Sequence, residues 1–197
     1  MGKSNLSSRL KRIERNARPE VKHNDGESDY FDTVGSINGT LLQPQELAQG
    51  TGRNQRIGDK VKTRNIRFQA IFKMPVNPSN STTAIRILVL RSKLTHPDTS
   101  DMPNWFAPVD EEKFFVVKDV LTQVSAIQAR TVTGTSFQTG STLKKIKFNI
   151  PTGMRKVQFD GGGVNTIPLN NEYVIYMFAE NQSAEVAYNW RHYYVDN

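Results

Sequence analysis

Ile66-Arg67-Phe68-Gln69-Ala70-Ile71-Phe72-Lys73-Met74 decides the fold class. Positions 66, 68, 70, 72 and 74 are apolar, while Arg67, Gln69 and Lys73 fall between them. This is the period of two that a strand with one buried face imposes. The stretch closes a predicted strand over Asp59 to Met74, the second of eight. Upstream, Tyr30 to Leu42 is an irregular first strand with bends at Gly35 and Gly39. Downstream, Thr83 to Arg91 is apolar on both faces and is expected to be central, and Glu112 to Ser125 is nearly continuous in the same way. Thr142 to Ile150 puts Ile146, Phe148 and Ile150 on one face and is expected to stop at Pro151. Arg155 to Asp160 is a sixth strand, ending at Gly161-Gly162-Gly163. Glu172 to Glu180 and Glu185 to Val195 complete the set, joined by the polar turn Asn181 to Ala184.

No long helical period separates these runs, so the strands should pair antiparallel. The expected architecture is all-β, an eight-stranded antiparallel jelly-roll sandwich. Residues 28 to 197 form this domain, and residues 1 to 27 form a basic N-terminal arm, disordered or partly helical, with Ser7 or Ser8 as a cap. The connection Ser92 to Glu111, with Pro97, Pro103, Pro108, Trp105 and Phe106, is long enough to suggest a functional or interfacial role. Tyr173, Tyr176, Phe178, Tyr188, Trp190, Tyr193 and Tyr194 cluster in the last two strands. Core packing is their plain reading and a share of a subunit interface the sharper one.

The chain has 197 residues, 26 Lys+Arg, 19 Asp+Glu, three His and no Cys, a formal charge of +7. The missing cysteine excludes disulfide scaffolds, cysteine zinc sites, iron–sulfur clusters and thiol catalysis. No apolar run reaches membrane length and no hydrophobic leader follows Met1, so a soluble intracellular product without membrane insertion is expected. The charge is concentrated. Residues 1 to 22 hold Lys3, Arg9, Lys11, Arg12, Arg15, Arg18 and Lys22 against Glu14 and Glu20, a net of +5, leaving +2 for the other 175. A short run of this kind seeks an anionic partner, and those seven residues are the candidate nucleic-acid contacts. Arg64, Arg67, Lys144, Lys145 and Lys147 are candidates for a second basic surface.

Catalytic equipment is thin. His23, His96 and His192 show no metal-ligand spacing, and no GxSxG, Walker or GxGxxG motif occurs, so no enzyme activity and no cofactor are expected. His96-Pro97-Asp98 follows a β-run and is discounted as a co-chaperone signature. The sequons at Asn5, Asn38, Asn80 and Asn181 should stay bare without a secretory route. Asp98, Asp101, Asp110, Glu111 and Glu112 could hold a structural calcium between subunits, although a solvated loop is the better reading without EF-hand spacing.

Gly52-Arg53-Asn54-Gln55-Arg56-Ile57-Gly58-Asp59-Lys60-Val61, then Arg86-Ile87-Leu88-Val89-Leu90-Arg91, then Lys113-Phe114-Phe115-Val116-Val117-Lys118-Asp119-Val120 resemble the coat proteins of the satellite tobacco necrosis virus family. The chain is similar too to the capsids of circular single-stranded DNA viruses that encode a replication initiator. The resemblance spans roughly residues 5 to 195 and rests on the order of elements. It implies strands B to I in two four-stranded sheets, and sixty copies in a T=1 icosahedral virion shell. It further implies an arm inside against a single-stranded genome, DNA favoured over RNA. Sixty arms at +5 would then supply about 300 positive charges against one per nucleotide. The protein would be made in the host cell, entering the nucleus if the genome is DNA, and would meet a host receptor or glycan of unstated identity. The resemblance also implies that Gln43 to Gly58, Ser92 to Glu111, Pro151 to Met154 and Asn181 to Ala184 gather at one end, with the Trp105 loop most exposed. Two other classes fit the composition: a carbohydrate-binding jelly-roll module using Trp105 or Trp190, and a nucleic-acid-binding regulator using the arm.

Overall fold

The computed structural model describes residues 20–34, 39–75, 81–130, 136–160, 166–180 and 184–196. Ten strands run through them: β1 Val21–Glu27, β2 Asp32–Val34, β3 Thr40–Leu42, β4 Lys60–Lys73, β5 Thr82–Ser92, β6 Phe114–Arg130, β7 Ser136–Ser141, β8 Lys144–Gln158, β9 Tyr173–Ala179 and β10 Ala184–Asp196. Every strand pair is antiparallel. One sheet has the order β1-β10-β4-β8, with β2 also on β10, and the other the order β3-β9-β5-β6-β7. The chain changes sheet at six of the nine connections between these strands. Taking β1 and β2 together as one interrupted strand along β10, and β7 as an added hairpin on β6, the eight positions of a jelly roll are filled.

The alternation read from Ile66 to Met74 is the main core. Ile66, Phe68, Ala70, Phe72 and Met74 are at most 2% exposed and meet Ile85, Ile87 and Val89 of β5 and Ile175 and Met177 of β9 across the sandwich. β5 is central, as its two apolar faces required. Its other face, Leu88 and Leu90, forms a second cluster with Val174, Tyr176 and Phe178, roofed by Met102 of the 93–113 connection, against which Trp105 packs. Burial on both sides explains why β5 and β9 lack alternation.

The structure corrects several boundaries. Val21–Glu27, placed in the arm, is β1, and the first predicted strand is two short ones in different sheets. The fifth and sixth predicted strands are one. Pro151 lies inside β8, opposite Asn65. Proline is tolerated there because β8 is the last strand of its sheet among the described residues. Beyond it, Gly153 (φ 64°) and Met154 (φ 57°) make a bulge where the register with β4 shifts.

The ends of the sandwich are also regrouped. Gln43 Nε2 donates to Pro97 O (3.3 Å), Leu47 N to Thr166 O (3.0 Å) and Thr95 Oγ1 to Leu169 O (3.4 Å). The 43–59, 93–113 and 159–172 connections therefore share one end. The end of β9 lies at the other, where Glu180 N donates to Ala84 O and Ala126 N to Ser81 O; Asn181 to Ser183 lie outside the described residues. Pro151 to Met154 belongs to neither end.

Within the 93–113 connection Trp105 packs inward and its neighbour Phe106 points to solvent. Its ring meets Phe178 edge-on at 5.6 Å between centroids, while Phe106 beside it is 82% exposed. Arg86 holds the connection down. It donates to Asp119 through Nε (3.0 Å) and Nη2 (2.7 Å), and to the carbonyls of Trp105 (3.2 Å) and Ala107 (3.0 Å) through Nη1.

Candidate nucleic-acid interface

The face of the β1-β10-β4-β8 sheet turned away from the core follows directly from the register. Because Phe68, Trp190 and Phe148 point inward in one row, the rows on either side point outward. One row is Asp25, Arg191, Arg67 and Asn149. Another is Glu27, Asn189, Gln69 and Lys147. Lys145 lies in register with Ile71 and extends the same face. Four cations against two carboxylates leave it net positive.

Asp25 takes up one of the cations. Arg191 donates to it through Nε (2.6 Å) and Nη2 (2.7 Å), and this pairing holds the guanidinium charged well above its ordinary range. Arg67, Lys145 and Lys147 enter none of the ion pairs among the described residues. The Arg67 guanidinium lies 5.0 Å from the centroid of the Tyr193 ring, and Asn65 Nδ2 donates to Asn149 Oδ1 at 2.8 Å. Arg67, Arg191, Tyr193, Lys147, the amides of Gln69 and Asn189 and the carboxylates of Asp25 and Glu27 line an open depression of about 560 Å³. Gly26 lets Trp190 lie flat beneath β1, since a Cβ there would meet its ring at 2.4 Å. A planar cation stacked on a phenol, flanked by free ammonium groups and amides, suits a phosphate backbone with unstacked bases.

The seven arm residues expected to contact nucleic acid fare differently. Lys3, Arg9, Lys11, Arg12, Arg15 and Arg18 lie outside the described residues. Lys22 is in β1 and buried, its ammonium 2.8 Å from Asp196 and donating to Gln55 O at 3.0 Å. It fastens the start of β1 to the end of β10 and is not free for a ligand. Of the second set, Arg67, Lys145 and Lys147 share the outward face. Arg64 sits in the bulge between Thr63 and Asn65, and Lys144 aligns with inward-facing Phe72.

Other singled-out residues have structural work. Arg56 is fully buried, donating to Gly58 O (2.6 Å) and stacked 4.5 Å over Phe159. His192 is buried beside Thr63, and loss of solvation lowers its pKa to about 3, so it stays neutral. Asp98 caps the turn at Thr99–Asp101, accepting from Ser100 N, and Asp101 meets Lys113 at 3.2 Å. Among the described residues no three His, Asp or Glu side chains stand where they could hold a metal.

No protein-family model matches the chain and no curated protein matches its sequence. Among solved structures it is similar to the BFDV capsid protein crystallised as a 60-mer, with a TM-score of 0.36 and 9% identity over 91% of this chain and 94% of that one. That is a loose likeness of architecture, and neither the assembly nor any ligand of that protein passes to this chain through it.

Sequence reasoning missed the Arg86–Asp119 clamp and Tyr193 as the partner of Arg67. The first had a signal: a lone Arg and a lone Asp in two apolar runs that must be neighbours if both are central. The second needed the pairing of β10 with β4, which no periodicity supplies.

Proposed function

We propose that this protein is the coat subunit of a small icosahedral shell, sixty copies in a T=1 arrangement, that encloses a single-stranded genome, DNA in preference to RNA. The observation that carries the reading is the partition of charge against fold. Residues 1 to 19 hold six basic side chains and one acidic, a net of +5, and the remaining chain is at +2. Moving the arm's boundary from residue 27 to residue 19 sharpens the split, because Asp25, Glu27 and the buried Lys22 leave the arm. A sandwich close to neutral with a separate basic tether is suited to packing against its own copies while the tether neutralises phosphate.

In this reading the arm supplies sequence-independent attraction, and the Arg67–Tyr193 face, turned to the same interior, takes single-stranded segments by stacking. No enzymatic step and no cofactor enter. Purified shells from the full chain and from a chain lacking residues 1 to 19 test it through their nucleic-acid content, read by the 260/280 nm absorbance ratio across a salt series. Truncated shells should lose most of their nucleic acid. Equal content at every salt concentration would remove the arm from the account.

A further inference from the structure

The outward face of the β1-β10-β4-β8 sheet carries its charges unevenly. Lys145 and Lys147 stand on β8 and Arg67 on β4, while the carboxylates Asp25 and Glu27 stand on β1. Two bonds from Arg191, at 2.6 and 2.7 Å, neutralise Asp25. Glu27 is exposed and enters no ion pair among the described residues. A face that only attracted phosphate would be stronger without this free carboxylate, which lies three strand spacings, about 14 Å, from Lys147.

Glu27 ends a row that crosses all four strands: it aligns with Asn189, Asn189 with Gln69, and Gln69 with Lys147. The row lines the same depression as Arg67 and Tyr193. Neighbouring side chains pair with one another, Arg191 with Asp25 and Asn65 with Asn149 (2.8 Å). In the Glu27 row none enters an ion pair or a side-chain hydrogen bond among the described residues. From β1 to β8 it therefore offers a carboxylate that only accepts, two amides that both donate and accept, and an ammonium that only donates. A nucleotide has the matching order, a base edge at one end and a phosphate at the other.

We propose that this row reads one unstacked base of a single strand, the phosphate resting on Lys147 and Lys145 and the base edge lying over Gln69, Asn189 and Glu27, and that Glu27 selects bases with an exocyclic amino group. Cytosine donates its amino group to a carboxylate. Uracil and thymine put a carbonyl oxygen in the same place, where two acceptors would meet without a proton between them and both would lose water. Arg67 and Tyr193 stack on the base face without regard to its identity, so the preference comes from Glu27. This rests on the single-strand reading of the face given above and adds to it which bases are taken.

The test uses the full chain and fluorescence anisotropy with two labelled deoxyoligonucleotides of equal length, one all cytosine and one all uracil, at neutral pH and fixed salt. The two differ only at the ring position that carries the amino group and at the adjacent nitrogen. The parent should bind the cytosine strand about fivefold or more tightly, a ratio that needs no variant to be measured. Glu27→Gln should bind both strands more tightly and bring their ratio close to one, because a glutamine amide serves an amino group and a carbonyl alike. Equal affinities in the parent, or a ratio that Glu27→Gln leaves unchanged while both affinities rise, would mean that Glu27 only repels phosphate and would overturn base selection; weakened binding by Arg67→Ala with Tyr193→Ala would then keep the single-strand reading of the face. If that double variant binds both strands as the parent does, both readings fall.

Discussion

Glu172 is the residue whose environment is hardest to reconcile with its charge. Its carboxyl is fully buried, and neither oxygen has a hydrogen-bond partner among the described residues. Nearby Gln43 spends its amide on Pro97 O and His96 Nδ1. Lost solvation, and after it the neighbouring Glu46, push the pKa up to about 8, so the group is neutral at physiological pH. A raised carboxyl pKa stabilises the fold fully below the unfolded value near 4.5 and loses that contribution as pH rises to about 8. His192, lowered to about 3, works in the opposite sense below about 6.5. The clean window for Glu172 is therefore pH 6.5 to 8. Melting temperature should fall across it, and Glu172→Gln, a permanent neutral mimic, should flatten the fall; an unchanged slope in the variant would assign the loss to another group. Composition rules place Glu and Lys outside, so neither Glu172 nor Lys22 could be found from the sequence. Both are buried by connections that meet only in three dimensions.

At the scale of elements, the 93–113 connection is held to the outer face of β5 and β9 by Arg86 and by Trp105 on Phe178. Arg86→Lys keeps the charge but cannot serve Asp119 and two carbonyls at once. It should cost about 1–3 kcal/mol, read from chemical denaturation, and admit protease within 93–113; unaltered protease resistance would mean that Trp105 suffices. Trp105→Ala should cost about 3 kcal/mol or more if the contact is as buried as a core aromatic, less in proportion to its partial exposure. What was legible here follows a physical line. Periodicity reports which face of a strand is buried, so Ile66–Met74 and the doubly apolar β5 were readable. It does not report sheet edges. β8 was cut at Pro151 because proline reads as a stop, although an outer strand accepts it. β1 was absorbed into the arm because Val-Lys-His-Asn-Asp-Gly-Glu has no apolar alternation. It holds its place through β10, by Lys22 to Asp196 and Asp25 to Arg191.

Across the whole molecule, charge and apolar exposure are laid out separately: residues 1 to 22 carry +5 of the net charge of +7, one sheet face carries Arg67 and Lys147, and β6 carries five of the eleven exposed large apolar side chains among the described residues. Binding to nucleic acid and binding to copies of itself should then respond to different variables. Arg67→Ala with Tyr193→Ala should reduce affinity for single-stranded oligonucleotides by roughly tenfold or more, with a shallower salt dependence, and leave self-association intact; fluorescence anisotropy across a salt series reads it, and an unchanged affinity would return all binding to the arm. The fold class was visible in the sequence because strand alternation is a local pattern, and the concentration of basic residues ahead of residue 23 is likewise read from the sequence. The sheet face was not, since it is assembled from strands distant in the chain. The central claim is that a sandwich close to neutral builds a closed shell of itself. Negative-stain electron microscopy of the purified full chain, with its mass by sedimentation, addresses that claim most directly. Uniform closed particles with a mass near sixty times 22.3 kDa are the predicted result, and a homogeneous monomer at high concentration and moderate salt would contradict it.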